Sequence, residues 1–168
     1  TPKTINTYIQ IEDGANTHDG IKATYDVSNV HIVHNDDGGG HGIELNGSAV
    51  RVNGAIIVGR DWGSSYPLHI NASNTVISNA SIRSTYPASS QTAVYIASGV
   101  TNSTLLNSVI EVAGSGGTHI GITAADDDTE VKYSHIQFLN KSSGTLTPVN
   151  ETKVKQTMRS TTDPYGNI

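Results

Sequence analysis

"HINASNTVISNASIRSTY", residues 69–86, places asparagine at 71, 74 and 79 among small polar residues and single aliphatics. Asparagine favours neither helix nor strand, but it tolerates the left-handed backbone region and hydrogen-bonds its own main chain. The stretch therefore reads as short strands separated by turns. Its segment Asn79 to Ile82 has counterparts of the form Asn-x-x-Ile at Asn29 to Ile32, Asn53 to Ile56 and Asn107 to Ile110. Their first residues lie 24, 26 and 28 positions apart. A fifth copy, 26 positions further on, keeps Ile136 and has Tyr133 where the asparagine would stand.

A second register runs independently of the first. Ile21/Ala23, Ile43/Leu45, Leu68/Ile70, Val94/Ile96 and Ile120/Ile122 are alternating apolar pairs whose first members lie 22, 25, 26 and 26 apart. Between the two registers sit Val50/Val52, Val76, Leu106 and Val131/Tyr133, so each period holds three short strands. Strands this short cannot bury their apolar face within one period. Stacked periods can, with each strand pairing in parallel with its equivalent about 4.8 Å away. The pattern predicts an all-β chain, a right-handed parallel β-helix of about five to six coils. Asn29, Asn53, Asn79 and Asn107 would form a ladder at the corner between the second and third strands.

Composition agrees. Of 168 residues only 15 % are charged and 5 % aromatic, with 17 glycines, which suits turns and short strands and not a helical bundle. Zero cysteines exclude disulfides and thiolate chemistry. A net charge of −5 with scattered Lys and Arg argues against nucleic acid as a partner. No run reaches the roughly 18 apolar residues that span a bilayer, so no membrane insertion is expected. The absence of an initiator methionine suggests a processed chain or a fragment. Residues 1–140 are read as the β-helix, with 1–19 an incomplete first coil, and 141–168 as a non-repetitive cap or linker.

An asparagine stack at such a corner resembles the ladder of the pectate-lyase-like right-handed β-helix superfamily, over roughly residues 20–138. Within that superfamily the cysteine-free, acidic, Asn/Ser/Thr/Gly-rich chain with tight coils looks most like a bacteriophage tailspike or appendage protein. The resemblance implies binding of a bacterial surface polysaccharide, often with its depolymerisation. It also implies a homotrimer, no organic cofactor, and a place in the virion tail or outside the cell.

The residues themselves point to a candidate face. If the alternating pairs of the second register face inward, then Lys22, Glu44, His69 and Tyr95 face outward, one per coil, followed by Gly121. Such a row could be an ordinary solvated face, or it could line a cleft for an extended glycan. The loops leading into it, at 34–41, 59–67 and 83–92, hold Tyr66, Tyr86 and the sole tryptophan. Loops on a rigid scaffold commonly carry function. Trp62, beside Arg60 and Asp61, is expected to be at least partly exposed as a stacking platform or interface anchor.

Glycoside hydrolysis needs two carboxyl groups about 5–5.5 Å or about 6.5–9.5 Å apart, distances that one or two coil spacings would bracket. Glu44 and Asp61 are the preferred pair, with His69 or Arg60 tuning their charge. A lyase would instead use a base and a group that neutralises a uronate, for which Lys22, His69, Tyr95 and Arg60 are suitable. Asp36, Asp37 and the run 125–130 read as turns, and Ca²⁺ binding by that run stays open. The dispersed histidines give no reason to expect a transition-metal site. On the third strand, Val33, Ile57 and Val109 are expected outside the inward Ile32, Ile56, Ile82, Ile110 and Ile136, which would suit a subunit contact.

Overall fold

The computed structural model describes residues 3–12, 18–35, 39–60, 62, 65–85, 90–114, 117–124, 129–139, 145–150, 155–157 and 160–162. Among them every regular element is a strand, and no helix is long and apolar enough to cross a membrane. The strands form three parallel sheets, and each coil of the chain contributes one strand to each sheet in turn. The result is a parallel β-solenoid of about five turns.

Sheet A comprises Thr4–Ile5, Val27–Ser28, Arg51–Asn53, Val76–Ser78, Ser103–Leu106, Thr129–Lys132 and Lys155–Thr157. Sheet B comprises Tyr8–Ile11, His31–His34, Ile56–Arg60, Ser81–Thr85, Val109–Ala113, His135–Leu139 and Ser160–Thr162. Sheet C comprises Ile21–Ala23, Ile43–Leu45, Leu68–Ile70, Gln91–Ile96, Thr118–Ala124 and Thr145–Asn150. The last strand of each sheet lies beyond residue 140, where the sequence loses its period. There the repeat of backbone conformation outlasts the repeat of side chains.

Parallel pairing places equivalent residues directly over one another, so the core is a set of aliphatic columns. Ile21, Ile43, Leu68, Val94 and Ile122 make one, and Ile32, Ile57, Ile82, Ile110 and Ile136 another, all buried. Removing each of these side chains from water contributes about 1.5–3 kcal/mol before the chain entropy is counted.

Three assignments of which residues face in or out are corrected. In the coil of residues 43–60 Ile57 points inward and Ile56 is 42 % exposed. In sheet A the buried column is Val52, Ile77, Leu105 and Val131, while Val76 and Leu106 lie at its margin. In sheet C the residue that continues the outward row is Thr123, which pairs with Tyr95, and Gly121 is buried. The cause in sheet C is a local break in alternation. Ala93 and Val94 are both buried in one coil, Gly121 and Ile122 in the next, and the ladder passes from Thr92↔Ile120 directly to Val94↔Ile122.

The shift at Ile56 and Ile57 has its origin at the corner between sheets A and B. There the left-handed position is held by Asn6, Asn29, Gly54, Asn79, Asn107 and Tyr133, with φ between 50° and 70°. Asn53 is therefore the last strand residue of its coil, paired with Ser28 and Ser78, and Gly54 makes the turn. The side-chain ladder still includes Asn53. Asn107 Nδ2 donates to Asn79 Oδ1 at 2.7 Å, and Asn79 Nδ2 donates to Asn53 Oδ1 at 2.8 Å. These rungs are exposed, on the outside of the corner.

A second, unanticipated stack turns the chain from sheet C into sheet A. Ala49, Asn74 and Asn102 are left-handed there, and Asn102 Nδ2 donates to Asn74 Oδ1 at 2.8 Å. Inside the A–B corner the small residues Ala55, Ala80, Ser108 and Ser134 are buried. The Ser134 hydroxyl accepts from the Ser108 N–H, and the Ser108 hydroxyl from the Ala80 N–H.

Trp62 lies in the core. It is 2 % exposed, its ring stacked on that of His34 at 4.4 Å with the planes 29° apart. The expectation of partial exposure fails because Gly59 leaves room for the indole: a Cβ at that position would stand 2.4 Å from Trp62 Cζ2. A loop tryptophan can thus fold back over the missing side chain and bury its large apolar surface.

Two stability tests follow. Because the ladder is exposed, Asn79→Ala should cost about 1–2 kcal/mol through lost rungs and left-handed strain, whereas Asn79→Gly, which relieves the strain, should cost less. Urea denaturation checks the order; an Ala variant as stable as wild type removes the ladder from the account. Gly59→Ala should destabilise by about 1–3 kcal/mol by overpacking against Trp62, read in the same assay alongside tryptophan emission.

Candidate functional site

The outer face of sheet C carries Lys22, Glu44, His69, Tyr95 and Thr123 in register, one per coil. Alternation in the strand turns these side chains away from the core. Alongside them, from the segments entering the sheet, come Asp19, His41 and Tyr66. The chain is held there by main-chain bonds between coils: Gly20 N–H to His41 O at 2.8 Å and Gly42 N–H to Tyr66 O at 3.1 Å.

Glu44, His41, His69, Tyr66 and Tyr95 are all partly buried, and the four rings among them pack on one another. Tyr66 lies nearly parallel to both Tyr95 and His41, with centroids 4.5 Å and 5.6 Å away. His69 tilts against Tyr95 at 5.5 Å and against His41 at 4.4 Å. Burial, and then the neighbouring Tyr95 hydroxyl, push the Tyr66 phenol above its ordinary pKa.

The charged groups pair at one end of this cluster. Lys22 Nζ lies 3.1 Å from Asp19 and 3.3 Å from Glu44, so one cation serves two carboxylates. Burial alone would raise the Asp19 pKa, but the His41 N–H, donated at 2.7 Å, and Lys22 outweigh it and hold the carboxyl below its usual value. A general acid for glycoside cleavage needs the opposite shift.

The two histidines form a directed chain. The Tyr66 N–H donates to His41 Nδ1 at 3.0 Å, which leaves the His41 proton on Nε2. That proton is donated to His69 Nδ1 at 3.1 Å, so neutral His69 carries its own proton on Nε2. Burial and then His41 depress the His69 pKa, outweighing the opposite pull of Glu44, whose oxygen is 3.7 Å away.

His41, Glu44 and His69 place three ligand-type atoms within 4.8 Å of one another, a grouping the sequence did not suggest. The hydrogen bonds run against a metal centre. A metal-bound histidine normally donates its other N–H to an acceptor, whereas His41 Nδ1 faces a donor, so an ion on Nε2 would set N–H against N–H. Stoichiometric Co²⁺ should therefore produce no tetrahedral visible absorption bands; their appearance would overturn this tautomer assignment.

Of the residues singled out from sequence, Lys22, Glu44, His69, Tyr95 and Tyr66 come together here. Arg60 is exposed at the end of its strand in sheet B, and Trp62 is buried. Asp61 lies outside the described residues, as do Asp36, Asp37, Tyr86 and 125–128. Sequence reasoning missed Asp19 and His41. His41 and Tyr66 each stand two residues before an inward sheet C residue and 25 positions apart, so aligning the repeats beyond their apolar positions would have paired them. Comparisons with protein-family models, curated proteins and solved structures gave no match to this chain.

Both depressed pKa values make the fold sensitive to acid. The stability associated with neutral His69 is complete above its ordinary value of 6.5 and is lost as pH falls through the lower folded value. That of Asp19 is complete above 3.8 and is lost at still lower pH. The urea midpoint should fall between about pH 7 and pH 5, and fall less in His69→Gln.

Proposed function

We propose that the outer face of sheet C binds an extended bacterial surface polysaccharide, in the manner of a tailspike or appendage β-helix of the pectate-lyase-like kind. The observation that carries this reading is the packed His41, Tyr66, His69 and Tyr95 cluster beside the Lys22–Glu44–Asp19 charges. Aromatic bodies with polar tips, next to fixed donors and acceptors on a long face, suit a chain of sugars. Each coil repeats the row of positions at about 4.8 Å, which lets successive contacts follow a linear polymer.

Hydrolysis by Glu44 with Asp61 is the catalytic form of the proposal. Glu44 is already paired with Lys22, and a carboxylate so paired is suited to accept from a sugar hydroxyl. A structural or adhesive module of a larger surface or virion protein, and a lyase using His69 as base, are the outcomes that would replace it. On a panel of capsular and cell-wall polysaccharides, Tyr95→Ala should weaken retention at least tenfold with the fold intact. Glu44→Gln should abolish reducing-end release if the face hydrolyses its ligand, and an unsaturated product absorbing in the ultraviolet would indicate a lyase. Wild-type protein that is retained by no glycan would leave the structural module.

The proposal includes self-association through sheet B. Tyr8, His31, Ile56, Ser81 and Val109 stand in one outward column, and Tyr8, Ile56 and Val109 are exposed apolar residues. Exposed apolar groups in line on a regular face favour a partner surface. Light scattering should give a trimer that Ile56→Glu with Val109→Glu dissociates; a monomeric wild type would sink this part.

A further inference from the structure

At the corner where the chain passes from sheet B into sheet C, a hollow of about 150 Å³ opens across three successive coils. Its walls include Trp62, Ser65, Tyr66, Ser90, Gln91 and Ile120, and among the described residues no charged one lines it. Tyr66 is a shared wall, since the same ring stacks on Tyr95 at the outer face. A space of about this volume accommodates a six-membered ring.

Two donors on the walls lack an acceptor. Trp62 Nε1 and Gln91 Nε2 are buried N–H groups with no hydrogen-bond partner, on side chains only 2 % and 8 % exposed. The acceptor side of Gln91 is taken, because the Ser84 hydroxyl donates to its Oε1. The hydroxyl oxygens of Ser65 and Ser90 already accept the Gly40 and Thr118 N–H groups, at 2.8 Å and 3.0 Å, which leaves their O–H groups to donate. A buried donor without an acceptor costs about 1–3 kcal/mol, so two beside one hollow call for a ligand that brings acceptor oxygen.

The kind of oxygen can be narrowed. A carboxylate or sulfate would enter with its charge and meet no cation among the described wall residues, at a high desolvation cost. A sugar hydroxyl brings a donor of its own to walls already rich in donors. A neutral carbonyl oxygen has two lone pairs and no proton, so it can accept from both N–H groups at once; a trans acetamido group points its own N–H away from that oxygen and adds a methyl beside Ile120.

We propose that this hollow is a subsite for an N-acetylated amino sugar of the bound glycan, its acetamido carbonyl accepting from Trp62 and Gln91. The inference rests on the glycan-binding reading of sheet C and names the substrate class within it. It also gives Trp62 a role that needs burial and not exposure.

Trp62 is the sole tryptophan, so the protein's intrinsic emission reports on this wall. N-acetylglucosamine and its short oligomers, titrated into the full chain, should shift that emission saturably. Glucose and its matching oligomers should act at least tenfold more weakly. Gln91→Met, an uncharged substitution that removes the carboxamide, should weaken the acetamido response at least tenfold; circular dichroism checks its fold. If that variant misfolds, the wild-type contrast between acetylated and non-acetylated sugars decides alone. No saturable shift, or an equal shift with glucose, overturns the subsite and leaves the hollow to water. If polysaccharides are retained, Tyr95→Ala abolishes retention and Gln91→Met does not, the subsite fails while the glycan reading stands. If no glycan acts in either assay, both fail.

Discussion

Parallel pairing between successive coils is the constraint on which the rest of the molecule depends. Each strand has its hydrogen-bonding partners one coil above and below, about 4.8 Å away, so every coil must leave and re-enter the three sheets in step with its neighbours. That requirement falls hardest on the corners, where the chain must reverse direction sharply without leaving polar backbone groups unpaired. Left-handed residues solve it. At the A–B corner the N–H of each turning residue is given to the coil above: Asn29 to Asn53 O, Gly54 to Ser78 O, Asn79 to Leu106 O, Asn107 to Lys132 O. The asparagine side chains then join turn to turn on the outside, while serines and alanines fill the inside.

The same stacking that organises the core produces the candidate site. A row of equivalent outward positions is forced into close contact at coil spacing, so unlike side chains at those positions must interact. Lys22 meets Glu44, and His69 meets Tyr95. Loop residues are drawn in by the same register, which brings the Tyr66 N–H onto His41 Nδ1 and fixes a one-way order of protons through His41 to His69. The chemical character of this face follows from that order. It presents a neutral imidazole, stacked phenols and a single ammonium shared by two carboxylates.

Trp62 links this outer face to the interior. Gly59 lets the indole enter the core against His34, and the same indole forms a wall of the hollow behind Tyr66. A large aromatic that both fills the core and borders a cavity ties the shape of that cavity to the packing of three coils.

The sequence by itself determined the architecture, because a solenoid writes its period directly into the chain. Asn29, Asn79 and Asn107 with Ile32, Ile82, Ile110 and Ile136 mark the corner and the column that follows it. It also placed Lys22, Glu44, His69 and Tyr95 on one face, since strand alternation needs no knowledge of the partner strand. Only the tertiary structure decided the local register. Asn53 and Gly54 compete for one turn position, Ile56 and Ile57 for one inward position, and consecutive inward residues at 93–94 and 121–122 break the alternation. None of these choices is resolved until neighbouring coils are stacked. It alone decided that Trp62 is buried, because the space over Gly59 and beside His34 of the neighbouring coil exists only once the coils are stacked, and that His41 and Asp19 join the site, because they reach it through hydrogen bonds between coils.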